Sequence, residues 1–366
     1  MIKFNDFTRE PEELQEAERS AIARSLKSGH YILGEEVKKF EKNWAETCGV
    51  QEAVGVANGM DAIEIILRAL NIGANDEVIV PAVTAFATVL AVIRAGAKPV
   101  LVDIELDTAL LSMEETRKYI SGKTKAVILV HLYGRIEPMK NWQSLCQEYN
   151  VFLIEDCAQS HLAELDGVHG GSFGIAGAYS FYPTKNLGCK GDGGALVTDD
   201  RELAAKARYL RHYGQTELYR HDYLGLNSRL DELQAAILSA RLPWLRKFTE
   251  RRQEIANRYR EEIKNGYITL LREETERKSH VQHLFVIRSK MRDALKKYLQ
   301  ENNIQTLIHY PYPINEQKAM AYYLSGREEL RNSEEFCRTC LSLPCHPQLE
   351  DEELDRVISV VNNFRG

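Results

Sequence analysis

The chain has 366 residues, 44% hydrophobic and 27% charged, with a formal net charge of -6. That length suggests two domains or one large one, ample to bury a core without staples or metals, and the mild acidity lacks the clustered basic excess that nucleic-acid binding needs. The scattered cysteines (48, 146, 157, 189, 337, 340 and 345) fit a reducing compartment, the charged first twenty residues offer no signal peptide, and no apolar run reaches a membrane span, so a cytoplasmic protein is expected.

Residues 11–47 read as helices. Glu12, Glu13, Leu14, Ala17, Ile22 and Leu26 have helical spacing, Ser28-Gly29 gives a stop, and a second helix runs from about Glu35 to Cys48. Short apolar strands then alternate with amphipathic segments: Ala53–Val56 with Asp61–Leu70, Glu77–Val80 with Phe86–Ala95, Pro99–Val102 with Met113–Ile120, and Ala126–His131 with Met139–Tyr149. Val151–Glu155, Ala178–Tyr182 and Ala195–Thr198 follow as strands. This alternation predicts an α/β fold with a mostly parallel sheet covered on both faces. From Leu230 to Lys264 the pattern is one long helical stretch interrupted by Pro243. Beyond it, Tyr267–Leu271, His283–Arg288 and Gln305–His309 read as strands, and Asp293–Asn302 and Asp351–Phe364 as helices. The βαβ alternation is absent there, which puts a boundary near residue 245, with residues 1–245 as a large domain and 246–366 as a smaller one.

Active sites in such sheets gather at the carboxyl ends of the strands. Three segments lie there: Asn58-Gly59, Glu155-Asp156 and Pro183-Thr184-Lys185. A lysine at a buried strand's end can have the lowered pKa that Schiff-base chemistry needs. A carboxylate at such a position can keep a pyridine nitrogen protonated, and Glu155 and Asp156 face opposite sides, so only one can do so. The turn at Gly59, Met60 and Asp61 opens a helix whose free N–H groups suit a phosphate. Each has an ordinary alternative: a solvated loop lysine, an N-cap or metal-ligand acid, a glycine turn that binds nothing. Lys190, in a Gly-rich turn, is assigned to structure. Gly191-Asp192-Gly193-Gly194 precedes a strand, not a helix, which rejects a dinucleotide loop. Cys337-Arg338-Thr339-Cys340 reads as the end of a helix running into Leu343-Pro344, and with no second such pair no metal is expected.

Taken in order, these residues resemble the DegT/DnrJ/StrS sugar aminotransferases of the fold-type-I pyridoxal-phosphate superfamily. The likeness runs nearly the whole chain: Ser28-Gly29-His30-Tyr31-Ile32-Leu33-Gly34, His131-Leu132-Tyr133-Gly134, Glu155-Asp156-Cys157-Ala158-Gln159, Ser180-Phe181-Tyr182-Pro183-Thr184-Lys185-Asn186-Leu187-Gly188, Leu210-Arg211-His212-Tyr213-Gly214, and 225–236. The resemblance implies a large α/β domain and a small C-terminal one, with pyridoxal 5'-phosphate bonded to Lys185, which then shuttles the proton. It implies Asp156 on the pyridinium nitrogen, Gln159 on the ring or its hydroxyl, and Ser180 with the N–H groups of Met60 and Asp61 on the phosphate. Asn227 would reach the neighbouring subunit's cofactor phosphate, making a homodimer part of the site. Two departures stand out. Relatives often carry Gly-Thr where this chain has Gly59-Met60, and an aromatic directly after Thr84, where this chain has Ala85; either a local shift lets Phe86, one residue on, take the stacking role, or the ring is packed differently.

Residues 304–313 and 283–288 are most similar to the branch that aminates C3 of a dTDP-linked 3-keto-6-deoxyhexose, with His309, Tyr310 and Tyr182 toward the substrate. Relatives often have His where Asn315 stands. The implied reaction takes its amino group from L-glutamate and gives it to a nucleotide-linked keto sugar. The alternatives are a UDP- or dTDP-4-keto-sugar aminotransferase, a pyridoxamine-phosphate-dependent dehydratase, which typically has His in place of Lys185, and a cofactor-binding regulatory protein.

Overall fold

The computed structural model describes residues 1–136, 138–273, 276–324, 326 and 329–366. In chain order the elements are α1 (Glu12–Ser28), α2 (Glu35–Cys48), β1 (Glu52–Val56), α3 (Gly59–Ala69), β2 (Glu77–Pro81), α4 (Phe86–Arg94), β3 (Lys98–Val102), α5 (Met113–Tyr119) and β4 (Thr124–Val130). Next come α6 (Met139–Tyr149), β5 (Phe152–Asp156), β6 (Glu164–Leu165), β7 (Val168–His169), β8 (Ala176–Ser180), β9 (Gly194–Thr198), α7 (Arg201–Leu210), β10 (Gln215–Glu217) and β11 (Arg220–His221). The chain continues with α8 (Glu232–Arg241), α9 (Leu245–Glu262), β12 (Thr269–Leu270), β13 (Phe285–Arg288), α10 (Arg292–Glu301), α11 (Arg331–Thr339), β14 (Cys340–Leu343) and α12 (Asp351–Asn363).

Seven strands form the large sheet in the order β1-β9-β8-β5-β4-β2-β3. β9 runs antiparallel to β1 and β8, and the other pairings are parallel. Val127, Ile128 and Leu129 of β4 are buried without alternation, as a strand covered on both faces requires. α3 carries Ile63, Ile65, Ile66 and Leu67 around most of its circumference, because it is buried between the sheet and its neighbouring helices. Pro243 lies in a short 3-10 turn between α8 and α9, where its missing N–H breaks the helical ladder.

The second sheet has the order β12-β13-β14 and its own apolar core, in which Ile255 and Tyr259 of α9 meet Leu295, Leu299, Val357 and Val361. Ile2 joins that core and bridges to Ile304, so the chain's first residues pack with its last third. Here the sequence expectation needs correcting. Gln305–His309 is not a strand; it makes one bridge, Leu307 to Ser342, and then turns away. The third strand is Cys340–Leu343, beginning where α11 stops at Thr339. Pro311 and Pro313 follow the bridged residue and cannot donate to a ladder, so the 305–313 segment leaves the sheet and runs toward the large one, where Ile314 N–H donates to Ala82 C=O at 2.9 Å.

Candidate active site

β5 delivers two adjacent carboxylates to opposite faces. Glu155 is fully buried. Its Oε1 accepts from Phe173 N and Gly174 N, and its Oε2 from Gly171 N and His131 Nε2, each at 2.8 Å. His131, Glu155 and Cys157 lie close enough to suggest a metal site, but these four donors already use the carboxylate's lone pairs. Asp156 is also buried, at 6% exposure, and faces the other way. Its Oδ1 accepts from Ala158 N at 3.1 Å and its Oδ2 from Thr88 Oγ1 at 2.8 Å. Burial raises its pKa, while the Thr88 hydroxyl, the Ala158 N–H, Lys185 and His131 pull it back.

Lys185 sits on a tight turn beyond β8, the strand that pairs with β5. The turn is closed by Lys185 N donating to Tyr182 C=O at 2.9 Å and Cys189 N to Phe181 C=O at 2.8 Å. The next residue, Asn186, anchors it: Nδ2 donates to Val281 C=O at 3.1 Å, and Oδ1 lies 3.0 Å from His283 Nδ1. Burial lowers the Lys185 pKa to about 8, with Asp156 acting in the opposite sense. A lysine in that state offers a neutral amine near physiological pH. Two buried imidazoles line its surroundings. His161 is pushed down to about 3 by burial and by Lys185, and His283 is lowered for the same reasons. Lys190, by contrast, pairs with Glu10 at 2.8 Å and Glu18 at 3.4 Å, a structural duty.

The start of α3 forms a cradle beside Ser180. A Cβ on Gly59 would meet Ser180 Cβ at 2.8 Å, and one on Gly194 would meet the Asn58 carbonyl carbon at 2.3 Å, so both glycines are needed for the close approach. Among the described residues the Gly59 and Met60 N–H groups have no acceptor. The Asp61 N–H departs from expectation: it donates to Asn58 Oδ1 at 2.8 Å, because Asn58 is the N-cap of the helix.

Gln159 is buried, with Oε1 accepting from Tyr133 N at 2.6 Å and Nε2 donating to Tyr310 Oη at 3.4 Å. Tyr133, at φ 61°, also donates its hydroxyl to the His309 carbonyl. His309 Nδ1 lies 2.9 Å from Ser342 Oγ on β14. Its pKa falls to about 4 through burial and Lys185, while that of Tyr310 rises to about 12 through burial and Asp156. Asp156, Gln159, Lys185, His309 and Tyr310 are thus brought together. Phe86 opens α4 and packs its ring against the large core, with the small Ala85 between it and Thr84. Tyr182 and Asn227 are exposed. Sequence reasoning missed Thr88, Tyr133, Asn186 and His283. Thr88 follows Thr84 at helical spacing, a usable signal; Tyr133, Asn186 and His283 lie in segments that carry the resemblance, but their roles become visible only through tertiary contact.

A half-buried amine with a lowered pKa, a buried carboxylate on the paired strand and a helix start with free N–H groups, set on this sheet, define the class of pyridoxal-phosphate-dependent enzymes. The chain matches the DegT/DnrJ/EryC1/StrS aminotransferase family over residues 12–362 and belongs to that family. It is 46% identical over 364 residues to a dTDP-3-amino-3,6-dideoxy-alpha-D-galactopyranose transaminase of Aneurinibacillus thermoaerophilus, covering 100% of this chain and 99% of that one. Among solved structures it is similar to S. venezuelae DesV in complex with a ketimine intermediate, with TM-score 0.94, 42% identity, and 99% and 97% of the two chains covered. It is also similar to ntda from Bacillus subtilis with bound cofactor PMP, with TM-score 0.91, 29% identity, and 98% and 84% covered.

Proposed function

We propose that this enzyme transfers an amino group from L-glutamate to C3 of a dTDP-linked 3-keto-6-deoxyhexose, acting in the cytoplasm as a homodimer. The observation that carries the reading is the juxtaposition of Lys185 with Asp156 at the carboxyl edge of β5 and β8, in a chain 46% identical to a transaminase of that product class.

Pyridoxal phosphate, when bound, supplies the electron sink that lets a proton leave the amino donor's carbon and another add to the keto carbon. Lys185 Nζ holds and delivers that proton. Asp156 stays anionic to keep the ring nitrogen protonated, and Gln159 orients the ring. Gly59 N–H, Met60 N–H and Ser180 Oγ hold the phosphate, which suits a cradle that any Cβ at Gly59 would fill. His309, as a neutral imidazole, and Tyr310, as a neutral phenol, bind the sugar nucleotide without adding charge, with the exposed Tyr182 at the mouth. Tyr31, Ile32, Leu218, Tyr219 and Leu224 are large apolar side chains left exposed, and Asn227 is exposed as well, which supports a second subunit covering them. A domain division near residue 245, where α9 begins, is supported by the separate core around α9, α10 and α12, which Ile2 joins; Phe4, Leu284, Val286, Phe336 and Cys340 pack into the large core across that division.

The test is incubation of the purified protein with L-glutamate and a panel of nucleotide 3-keto and 4-keto sugars. Formation of 2-oxoglutarate together with a 3-amino sugar by mass and NMR is expected; amination only of 4-keto sugars would reject the C3 assignment. Tyr133→Phe removes the hydroxyl that holds the His309 carbonyl and leaves the Tyr133 N–H on Gln159. It should raise KM for the sugar nucleotide by about ten-fold, with the glutamate half-reaction within about two-fold of the parent by single-turnover absorbance.

A further inference from the structure

We propose that Thr88, through a one-way hydroxyl chain that begins at Thr84, is the positioning residue that orients the Asp156 carboxylate and holds it in its charged form. The proposal rests on the reading of Asp156 as the partner of the ring nitrogen and deepens it.

The direction of the chain follows from counting protons. Thr88 Oγ1 is 2.8 Å from Asp156 Oδ2, and a carboxylate can only accept, so the single Thr88 proton lies on that bond. Thr84 Oγ1 is 2.9 Å from Thr88 Oγ1. With the Thr88 proton already committed, Thr84 must be the donor in this second bond. Both hydroxyls are buried, at 3% and 1% exposure, so water does not substitute for either. Bonds linked head to tail in a dry interior polarise one another toward the acceptor, here Asp156.

The helix adds to this. Threonines inside helices usually turn the hydroxyl back onto the carbonyl four residues earlier. Thr88 instead meets the side chain of the residue four earlier, Thr84, and points its proton out of α4. It occupies the first turn, and the N-cap of α4 is Ala85, which has no side chain able to cap it. The positive end of the helix therefore lies next to the carboxylate and favours its charge. The other groups around Asp156 are the Ala158 N–H, Lys185, His131 and Tyr310. Of these, only the Ala158 N–H makes a direct hydrogen bond to the carboxylate among the described residues, and it holds Oδ1. Thr88 alone fixes Oδ2.

The test compares holoenzyme Thr88→Val, Thr88→Ser, Thr84→Val and Asp156→Asn. Cofactor retention is read by equilibrium dialysis and the absorbance of the bound chromophore, and both half-reactions by single turnover. Thr88→Val, nearly isosteric but without a donor, should release cofactor with a dissociation constant raised at least about ten-fold. It should slow both half-reactions while leaving KM for the sugar nucleotide unchanged. Thr88→Ser should restore both readouts to within about two-fold, and Thr84→Val should fall between, at about three-fold. Parental cofactor retention in Thr88→Val, or a Thr88→Ser as impaired as Thr88→Val, would overturn the proposal, since the second result assigns the effect to the methyl group's packing. If Thr88→Val does not fold, the Thr88→Ser and Thr84→Val pair decides by the same criteria. A parental Asp156→Asn would instead remove Asp156 from the reaction, whereas an impaired Asp156→Asn beside a parental Thr88→Val rejects only the role of Thr88.

Discussion

Lys185→Ala is expected to yield a folded protein whose turnover is lower by about four orders of magnitude. Loss of a positioned acid–base group alone costs roughly 100- to 10000-fold, and this residue also supplies the amine that bonds the cofactor. The fold should survive because the turn is closed by main-chain bonds from Lys185 N and Cys189 N and anchored by Asn186, none of which uses the lysine side chain. Removing a half-buried cation also removes a desolvation cost, so thermal stability should be unchanged or slightly higher. The pH dependence follows from the lowered pKa. An ordinary lysine at about 10.5 is almost fully protonated at neutral pH, whereas Lys185, at about 8, gains neutral amine as pH rises through that value. Uptake of the aldehyde cofactor by the apoprotein should therefore accelerate from pH 7 and level off above about 8. A profile that keeps rising to pH 10 would show that Lys185 is not desolvated, and normal turnover by Lys185→Ala would remove it from the reaction.

The sign for stability runs the same way. Folding lowers this pKa, so between about 8 and the unfolded value the unfolded chain binds more protons and the contribution to stability rises with pH. Below about 8 both states are protonated, and the full cost of burying the charge remains.

Much of the large sheet was legible because its strands are buried on both faces and its helices have ordinary periodicity. The expected Met139–Tyr149 helix and β5 strand correspond to elements that begin or end within a residue of the pattern. The second sheet was less legible. Gln305–His309 has the composition of a strand, but the two prolines after it end its pairing after one bridge, and Cys340–Leu343, only four residues long, hides behind a helix. At the site, Lys185 and Asp156 stood at strand ends, which made them candidates, but position alone did not separate Lys185 from a loop lysine or Asp156 from Glu155; the family resemblance did. The partners that set their chemistry did not: Thr88 sits on α4 and His283 before β13, far along the chain from Asp156 and Lys185. Asp61 shows the limit of motif transfer, since one Asn58 side chain takes the N–H assigned to the phosphate.

Glu155→Ala should destabilise the protein by about 3–5 kcal/mol, a loss of the size seen when one partner of a buried charged cluster is removed. The carboxylate is the only acceptor, among the described residues, for the N–H groups of Gly171, Phe173 and Gly174, and it also holds His131 Nε2. Alanine would orphan all four donors in a dry interior and open a cavity. Glu155→Gln keeps the shape, but its NH2 group would face two of those donors, so it should be nearly as severe. For a chain of this length the midpoint of thermal unfolding should fall by about 5 °C. The exposed pair Arg117–Glu148 gives the contrast: Glu148→Ala should change stability by less than about 0.5 kcal/mol. The damage should also reach the chemistry. The 171–174 segment leads into β8, whose last residue is Ser180, and the His131 main-chain N–H donates to the Asp156 carbonyl at 3.1 Å. Loosening Glu155 therefore loosens both the proposed phosphate cradle and the carboxylate beside the lysine. Weaker cofactor retention should accompany the lower midpoint in Glu155→Ala and be absent in Glu148→Ala; a Glu155→Ala protein that melts normally would show that loop 171–174 holds its shape without this carboxylate.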